Sequence, residues 1–176
     1  MPGKRIVFHT EWFDVEEECF PEIAVLGGKP VYRIVEADSV VMLAMTPDRK
    51  IIMVRQFRPV LNEYTLELPA GHIDEGEDNK IAAARELYEE TGFICGQWQE
   101  LFSGMFAMAN RSTMRSAVLF GSNARPDKKY SPGEDNEVRL VTVSELKGLI
   151  LEGLCRQNSA PVALLLAYWH GMIDAI

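Results

Sequence analysis

Three glutamates in one short segment, Glu86, Glu89 and Glu90, have the spacing that places carboxylates on one face of a helix. From about Asp78 to Thr91 every residue is compatible with a helix, and Gly92 stands where a helix commonly ends. Like charges so placed repel by roughly 0.2–0.5 kcal/mol per pair on an exposed surface. A divalent cation would remove this repulsion, and oxygen ligands favour Mg²⁺ or Mn²⁺ over zinc. The segment is therefore a candidate metal site.

The alternative is that these charges form a solvated helix face, which is the more frequent explanation for an isolated run of this kind. The surrounding residues argue against it. Gly71 and Glu77 precede the helix and Gly92 follows it, and a merely solvated helix needs none of these three. Glycine permits tight turns and the close approach of the backbone to another group.

The whole stretch reads GHIDEGEDNKIAAARELYEETGF from Gly71 to Phe93, and it fills every fixed position of the pattern G-x5-E-x7-R-E-U-x-E-E-x-G-U, in which U is bulky and apolar. This pattern is the Nudix box, and the chain closely resembles the Nudix hydrolases. The resemblance implies an α/β fold, an α/β/α sandwich with a mixed β-sheet. It also implies hydrolysis of a pyrophosphate bond with the help of Mg²⁺, with Mn²⁺ as the alternative ion.

The resemblance assigns roles to residues of the box. Glu86 and Glu90 are implied to be metal ligands, and the backbone carbonyl of Ala70 is implied to complete the site. Glu89 is a further ligand or binds water. Arg85 is implied to orient the box glutamates rather than to touch the substrate, and a structural ion pair is its alternative role.

Two segments before the box narrow the resemblance. Residues 54–59 read VRQFRP and residues 66–71 read LELPAG, and both are similar to the corresponding segments of ADP-ribose and nucleoside-diphosphate-sugar pyrophosphatases. In that branch the residues corresponding to Arg58 and Glu67 face the substrate. A guanidinium can hold a phosphate with two hydrogen bonds, and a carboxylate can accept from ribose hydroxyls. A surface charge at a strand end is the alternative for Arg58.

A general base is expected outside the box if the box glutamates are committed to metal. In the same branch, a glutamate on a loop before a late strand has this role, and the matching stretch here runs from Gly133 to Glu137. Glu134 is the first candidate for the base and Glu137 the second. If neither serves, the base belongs to the box, and Glu89 is then the candidate.

Three further residues are candidates for substrate contacts. The loop at residues 104–111 reads GMFAMANR where many members of the branch have a Pro-Gly-containing loop, so Met108 is either core or an adaptable wall against a base or sugar. Trp12 and Tyr32 are candidates for stacking on adenine, because the family commonly uses N-terminal residues for this purpose. Simple packing is the alternative for both aromatic residues.

Composition sets limits on the rest. The 176 residues with 47% hydrophobic content suit one structural domain, with residues 1–36 as an N-terminal strand or arm region that helps to form a homodimer and residues 37–176 as the Nudix hydrolase domain. A net charge of −8 disfavours a nucleic-acid partner. Three scattered cysteines, no signal peptide and no apolar stretch of ~20 residues predict a cytoplasmic protein without a membrane segment.

The predicted elements surround the box helix. Strands are predicted at Val31–Val35, Val40–Met45, Ile51–Phe57, Tyr64–Leu68, Trp98–Phe106, Met114–Phe120 and Val138–Val143. Two later helices are predicted, one capped by Ser144 and ending near Glu152, the other from Ser159 to about His170. The segment from His9 to Ile23 is either an extra strand pair or an arm packed on a partner subunit, and the segment from Ala124 to Asn136 is predicted to be a loop.

The function implied by the resemblance is Mg²⁺-dependent hydrolysis of ADP-ribose or a related nucleoside-diphosphate sugar to a nucleoside monophosphate and a sugar phosphate. One alternative is a Nudix hydrolase of dinucleotides or nucleoside triphosphates. Another is a nucleotide-sugar sensor without turnover, but such modules usually lose a box glutamate and this chain keeps them all.

Overall fold

A computed structural model describes residues 4–130 and 137–174. The strands in these residues are β1 Arg5–His9, β2 Asp14–Cys19, β3 Pro30–Val35, β4 Ser39–Ala44, β5 Ile51–Arg58, β6 Glu63–Glu67, β7 Ala70–His72, β8 Phe93–Ile94, β9 Gln97–Phe106, β10 Arg115–Ser122, β11 Arg125–Pro126 and β12 Glu137–Val141. The α-helices are α1 Asn79–Thr91, α2 Val143–Leu151 and α3 Ser159–Trp169. None of the described helices is long and apolar enough to cross a membrane.

The strands pair in both directions. β10 runs parallel to β4, whereas β4 with β7, β5 with β6 and β5 with β12 are antiparallel. The two sheets that carry the core have the orders β7-β4-β10-β9 and β12-β5-β6, and an isolated bridge between Met45 and Ile51 links β4 to β5. The β-structure is therefore mixed, as predicted.

Helices cover both faces of these sheets. Along β4, Val41 and Leu43 pack in the cluster that contains residues of α2 and α3, whereas Val40 and Met42 pack in the cluster that contains residues of α1. Successive strand residues point to opposite faces, so a strand buried on both faces is a continuous apolar run, as β4 is from Val40 to Ala44. This arrangement confirms the α/β/α sandwich.

The N-terminal strands form a sheet of their own with the order β1-β2-β3. Of the two alternatives for the segment from His9 to Ile23, the structure shows the strand pair, because β2 pairs with both β1 and β3. Ile34 joins this sheet to the rest of the chain: its N–H donates to the Arg111 carbonyl at 2.7 Å, and its carbonyl accepts from the Thr113 N–H at 3.0 Å. Packing on a partner stays a prediction.

The helix of the box forms where the sequence predicts it. The side chain of Asp78 caps α1 by accepting a hydrogen bond from the Lys80 N–H, and the helix ends at Gly92 with φ 71°. Leu87 is fully buried against the sheet, a contribution of roughly 1.5–3 kcal/mol by the usual value for such a side chain. The opposite side of α1 is left for the charged residues.

Two predictions about local structure were wrong, and one strand of the site was not predicted. Thr142, not Ser144, caps α2, because Glu145 stands three residues after Thr142 and the two complete a reciprocal capping box. The segment after Ala124 is not wholly a loop, since Arg125–Pro126 pairs with β8. The short strand β7 was not predicted; its Gly71 has a low strand propensity, and pairing with β4 overrides it.

Candidate active site

The guanidinium of Arg85, on α1, connects the charged residues of the box. It donates to both carboxylate oxygens of Glu77, at 3.0 and 2.7 Å, and to Oε1 of Glu86 at 2.7 Å. It also reaches the His72 carbonyl oxygen at 2.9 Å and a carboxylate oxygen of Glu89 at 3.4 Å. The hydrogen bonds between Arg85 and Glu77 raise the pKa of the guanidinium and lower the pKa of the carboxyl. Arg85 therefore contacts three glutamates of the box and fixes them to the loop before the helix.

Gly71 allows Glu86 to lie directly against the backbone of β7. A Cβ atom added at Gly71 would overlap the carboxylate of Glu86. The Glu86 side chain is only 14% exposed, so it is held between α1 and β7 rather than directed into solvent. The box requires glycine at this position because a carboxylate lies too close to the backbone for any side chain to fit.

Glu90 lies one helical turn further along and is more deeply buried. Its carboxylate accepts a hydrogen bond from the Ala70 N–H at 3.1 Å. Burial raises the pKa of Glu90 to about 7, and the negative charge of Glu86 adds to this, while the hydrogen bond from Ala70 acts in the opposite direction. Such a carboxylate is poised to gain a cation, because a cation would compensate the charge that burial disfavours.

Arg58 and Glu67 form an ion pair on the neighbouring strands β5 and β6. Nε of Arg58 donates to Oε1 of Glu67 at 3.1 Å and Nη2 donates to Oε2 at 2.5 Å. The hydroxyl of Thr65 also donates to Glu67. Burial of Glu67 would raise its pKa, but the hydrogen bonds from Arg58 and Thr65 prevail and lower it. The carboxylate is therefore fixed in its charged form, and it anchors a guanidinium that is 40% exposed.

The structure does not bring Glu137 to these residues. Glu137 lies opposite Arg55 in the register of β12 and β5 and accepts hydrogen bonds from Arg55 at 3.5 Å and Arg139 at 3.0 Å. The next residue, Val138, packs in the cluster that contains α1. Because neighbours along a strand point to opposite faces, Glu137 faces away from the box helix. Glu134 lies outside the described residues.

The three residues that were predicted to contact the base or sugar of the substrate lie at exposed positions. Trp12 is 73% exposed in the turn between β1 and β2, and Tyr32 on β3 donates its hydroxyl hydrogen bond to Glu17 at 2.7 Å. Met108 is 48% exposed, so it is not a core residue, whereas Met105 packs against the core. No hydrogen bond of the described residues links these side chains to the box, and their roles stay predictions.

The carboxylates of the box fit a divalent cation in chemistry, although the described residues contain no preformed group of three His, Cys, Asp or Glu side chains around one point. Glu86 is turned toward Arg85, Glu90 toward the Ala70 N–H, and the side chain of Glu89 is 56% exposed. Carboxylate and carbonyl oxygens are hard ligands of the kind that Mg²⁺ and Mn²⁺ accept. Gly71 lets the Glu86 carboxylate lie against the backbone of β7, next to Ala70, whose N–H is bonded to Glu90.

Sequence reasoning missed two contacts that hold this site together. Thr65 was not considered, although it donates to Glu67 across one strand position. Tyr130 packs its ring on Gly92, where a Cβ would overlap the ring, and donates its hydroxyl hydrogen bond to the Glu89 carbonyl at 2.8 Å. No local pattern reveals this second contact, because about forty residues separate the partners.

Comparisons with known proteins agree with these observations. The model of the family described as NUDIX domain matches residues 35–161. Over 108 residues, 60% of this chain and 57% of the other, the chain is 45% identical to the methanol dehydrogenase activator of Bacillus methanolicus. It is 49% identical to the ADP-ribose pyrophosphatase of Bacillus subtilis (strain 168) over 93 residues, 52% of this chain and 49% of the other. It is 56% identical to the ADP-sugar pyrophosphatase of Mus musculus over 103 residues, 54% of this chain and 47% of the other.

The chain thus spans about half the length of these curated relatives, between 47% and 57%. Among solved structures, the crystal structure of an ADP compounds hydrolase superposes with a TM-score of 0.80 and covers 99% of this chain and 95% of that chain. The identity is 18%, so this likeness concerns the fold.

Proposed function

Since the chain belongs to the Nudix family, we propose that it hydrolyses the pyrophosphate bond of ADP-ribose or a related nucleoside-diphosphate sugar, releasing a nucleoside monophosphate and a sugar phosphate. Relatives named ADP-ribose pyrophosphatase and ADP-sugar pyrophosphatase support this substrate class. The observation that carries the proposal is the arrangement of the site. The largely buried carboxylates of Glu86 beside Gly71 and Glu90 beside Ala70 suit a cation, and Arg58, held by Glu67, is near enough for its charge to lower the pKa of Glu90.

A divalent cation, Mg²⁺ in our proposal and Mn²⁺ as the alternative, would neutralise the phosphate oxygens and activate a water molecule. Glu86 and Glu90, with the Ala70 carbonyl, are the groups that would hold it, and Glu89 would bind a further ion or water. Arg85 keeps Glu86 in place through its bond of 2.7 Å. The Ala70 N–H likewise holds Glu90 in place through its hydrogen bond of 3.1 Å.

Arg58 is the group that we assign to the diphosphate. Nε and Nη2 of Arg58 donate to Glu67, so the position of the guanidinium is fixed before the substrate binds. The Arg58 side chain is still 40% exposed and therefore accessible to a phosphate. A fixed cation loses little side-chain entropy on binding a phosphate. Glu67 then acts by holding Arg58 and, as a second role, by accepting a hydrogen bond from a ribose hydroxyl.

The general base is assigned to Glu134, and Glu137 becomes the weaker candidate because its carboxylate is bound to Arg55 and Arg139 on the other face of the sheet. We further propose a homodimer that uses the N-terminal sheet. Its support is the exposure of large apolar side chains there, including Phe8 at 56% and Trp12 at 73%. Stacking of adenine on Trp12 or Tyr32, a wall formed by Met108 and a cytoplasmic location remain parts of this proposal.

The experiment is an assay of the purified chain with a panel of substrates, each with Mg²⁺ and with Mn²⁺. ADP-ribose and other nucleoside-diphosphate sugars should give a nucleoside monophosphate and a sugar phosphate, separated by chromatography. Higher turnover of dinucleotides or nucleoside triphosphates would favour the alternative hydrolase. Binding of nucleotide sugars without turnover under either metal would indicate a sensor and refute the proposal.

A further inference from the structure

Gln56 lies on β5, two residues before Arg58, and the proposed function assigns no role to it. Gln56 is opposite Thr65 in the register of β5 and β6. It therefore lies between Arg58 and Glu67, the two residues of the ion pair. The Nε2 atom of Gln56 is buried and has no hydrogen-bond partner among the described residues. It is the one side-chain nitrogen or oxygen atom of the described residues in this condition.

A buried amide N–H₂ group without a partner is costly, because it has lost its hydrogen bonds to water and gained none from the protein. Folded proteins keep such a group where a ligand or water completes it. The donor must therefore have an acceptor in the working state of the protein. Three kinds of acceptor are available in principle: a group of the chain itself, a water molecule and a group of the substrate.

The surroundings favour an anionic acceptor from the substrate. The hydrogen-bonding effect of the Gln56 side chain lowers the pKa of Glu90, so the two side chains lie near each other, yet the Nε2 atom meets the distance and angle of a hydrogen bond with no atom of the described residues. Glu90 already accepts from the Ala70 N–H, and the carboxylate of Glu67 already accepts from Arg58 and Thr65. Gln56 is two residues from Arg58 along β5, so both residues lie on the same face of the strand, where a guanidinium is suited to phosphate.

We propose that Gln56 is a substrate-binding residue, and that its Nε2 group donates a hydrogen bond to a phosphate oxygen of the bound nucleoside diphosphate next to Arg58. The inference rests on the proposed function and adds a residue to it. Arg58 supplies charge from the exposed side, and Gln56 supplies a neutral donor from the buried side. A neutral donor is suited to this depth because it does not compete with a cation for Glu90.

The test compares Gln56→Met with the wild type. Methionine has a similar length and volume but no donor, so the site is kept filled while the hydrogen bond is lost. The probe is the α,β-methylene analogue of ADP, whose carbon bridge resists hydrolysis, with binding measured by calorimetry at saturating Mg²⁺. Three further quantities are the KM for the best substrate, the Mg²⁺ concentration at half-maximal activity and the melting temperature without ligand. Gln99→Met, at an exposed position of β9, is the matched control.

We expect Gln56→Met to raise the Kd for the analogue about ten- to a hundredfold, the worth of a hydrogen bond to a charged group. KM should rise with it, and the Mg²⁺ requirement should stay the same. The melting temperature should not fall, because an unpaired donor contributes no bond to the free protein. Gln56→Glu, which has the same shape but adds a negative charge and removes the donor, should weaken binding further.

Two results would overturn the inference. An unchanged Kd with a lower melting temperature would mean that the amide is bonded within the protein. A changed Mg²⁺ requirement with an unchanged Kd would mean that Gln56 acts on Glu90 instead. In both cases the wild type would still hydrolyse nucleotide sugars, so the proposed function would stand. Failure of the wild type to bind the analogue would refute the inference, whereas the proposed function is refuted only by the absence of turnover across the substrate panel.

Discussion

Replacement of Glu90 by glutamine should make the metal-free protein more stable and almost inactive. The pKa of this carboxyl is about 7 in the folded protein, against 4.5 for the unperturbed group. A folded pKa above the unfolded one means that the folded state binds more protons between these two values. Stability is therefore full below about pH 4.5 and falls as the pH rises toward 7. Glutamine has the same shape, can still accept from the Ala70 N–H and cannot ionise.

The size of the effect follows from the shift. A difference of about 2.5 pKa units corresponds to roughly 3 kcal/mol at 1.36 kcal/mol per unit, and part of it is already present at pH 5. The gain in unfolding free energy from Glu90→Gln should thus be larger at pH 8 than at pH 5 by about 2–3 kcal/mol. Turnover should meanwhile fall by several orders of magnitude, because a metal ligand is lost.

The assay is urea denaturation in EDTA at both pH values, together with kcat at saturating Mg²⁺. Glu89→Gln is the control, since it removes the same charge from a side chain that is 56% exposed and should change stability by no more than about 0.5 kcal/mol. Equal gains for Glu90→Gln at both pH values would refute the burial argument. Activity within about tenfold of the wild type would refute the assignment of Glu90 to the metal.

The box helix could be predicted from the sequence because its information is local. The i, i+3, i+4 spacing of the glutamates, the capping Asp78 and the terminal Gly92 all act within a few turns of one helix. The α/β/α layering followed from the order of apolar runs. What the sequence could not show is how α1 meets the strands. The close approach of Glu86 to Gly71 and the contact of Tyr130 with Gly92 depend on the tertiary fold.

The pairing of Arg58 with Glu67 was missed for a related reason. Both were predicted to face the substrate, and sequence reasoning treated them as separate groups. They are not opposite each other in the register, which pairs Arg58 with Glu63, and only long side chains that reach along the strands bring them together. The lack of a partner for Gln56 Nε2 among the described residues is equally invisible in the sequence, where Gln56 is one polar residue in a strand.

The position of Glu137 could not be predicted, because the predicted strand began at Val138 and left Glu137 on the preceding loop. In the structure β12 begins at Glu137, so strand alternation places Glu137 and Val138 on opposite faces. Family resemblance located the loop only to within a few residues. The assignment of the base to Glu134 stays a prediction.

Three further predictions follow from the site. Gly71→Ala should keep the fold but lower kcat by about 10²–10³, because the new Cβ displaces Glu86, and a metal titration should show a raised Mg²⁺ requirement; an unchanged titration would mean that Glu86 is not a ligand. Arg58→Ala should raise KM at least as much as it lowers kcat, since binding of the diphosphate is lost, and steady-state kinetics that leave KM unchanged would return Arg58 to the role of a surface charge. Glu134→Gln should lower kcat by about 10²–10⁴ with the Mg²⁺ requirement nearly constant, as expected for a positioned general base. Glu137→Gln should do far less, because its carboxylate is engaged by Arg55 on the face away from the box helix. The kcat of both variants must be measured over the same range of pH. Loss of the base lowers kcat and also removes the fall of kcat at low pH that protonation of the base causes. A larger loss in Glu137→Gln would mean that Glu137 and not Glu134 is the base, and no loss in either would move the base to Glu89.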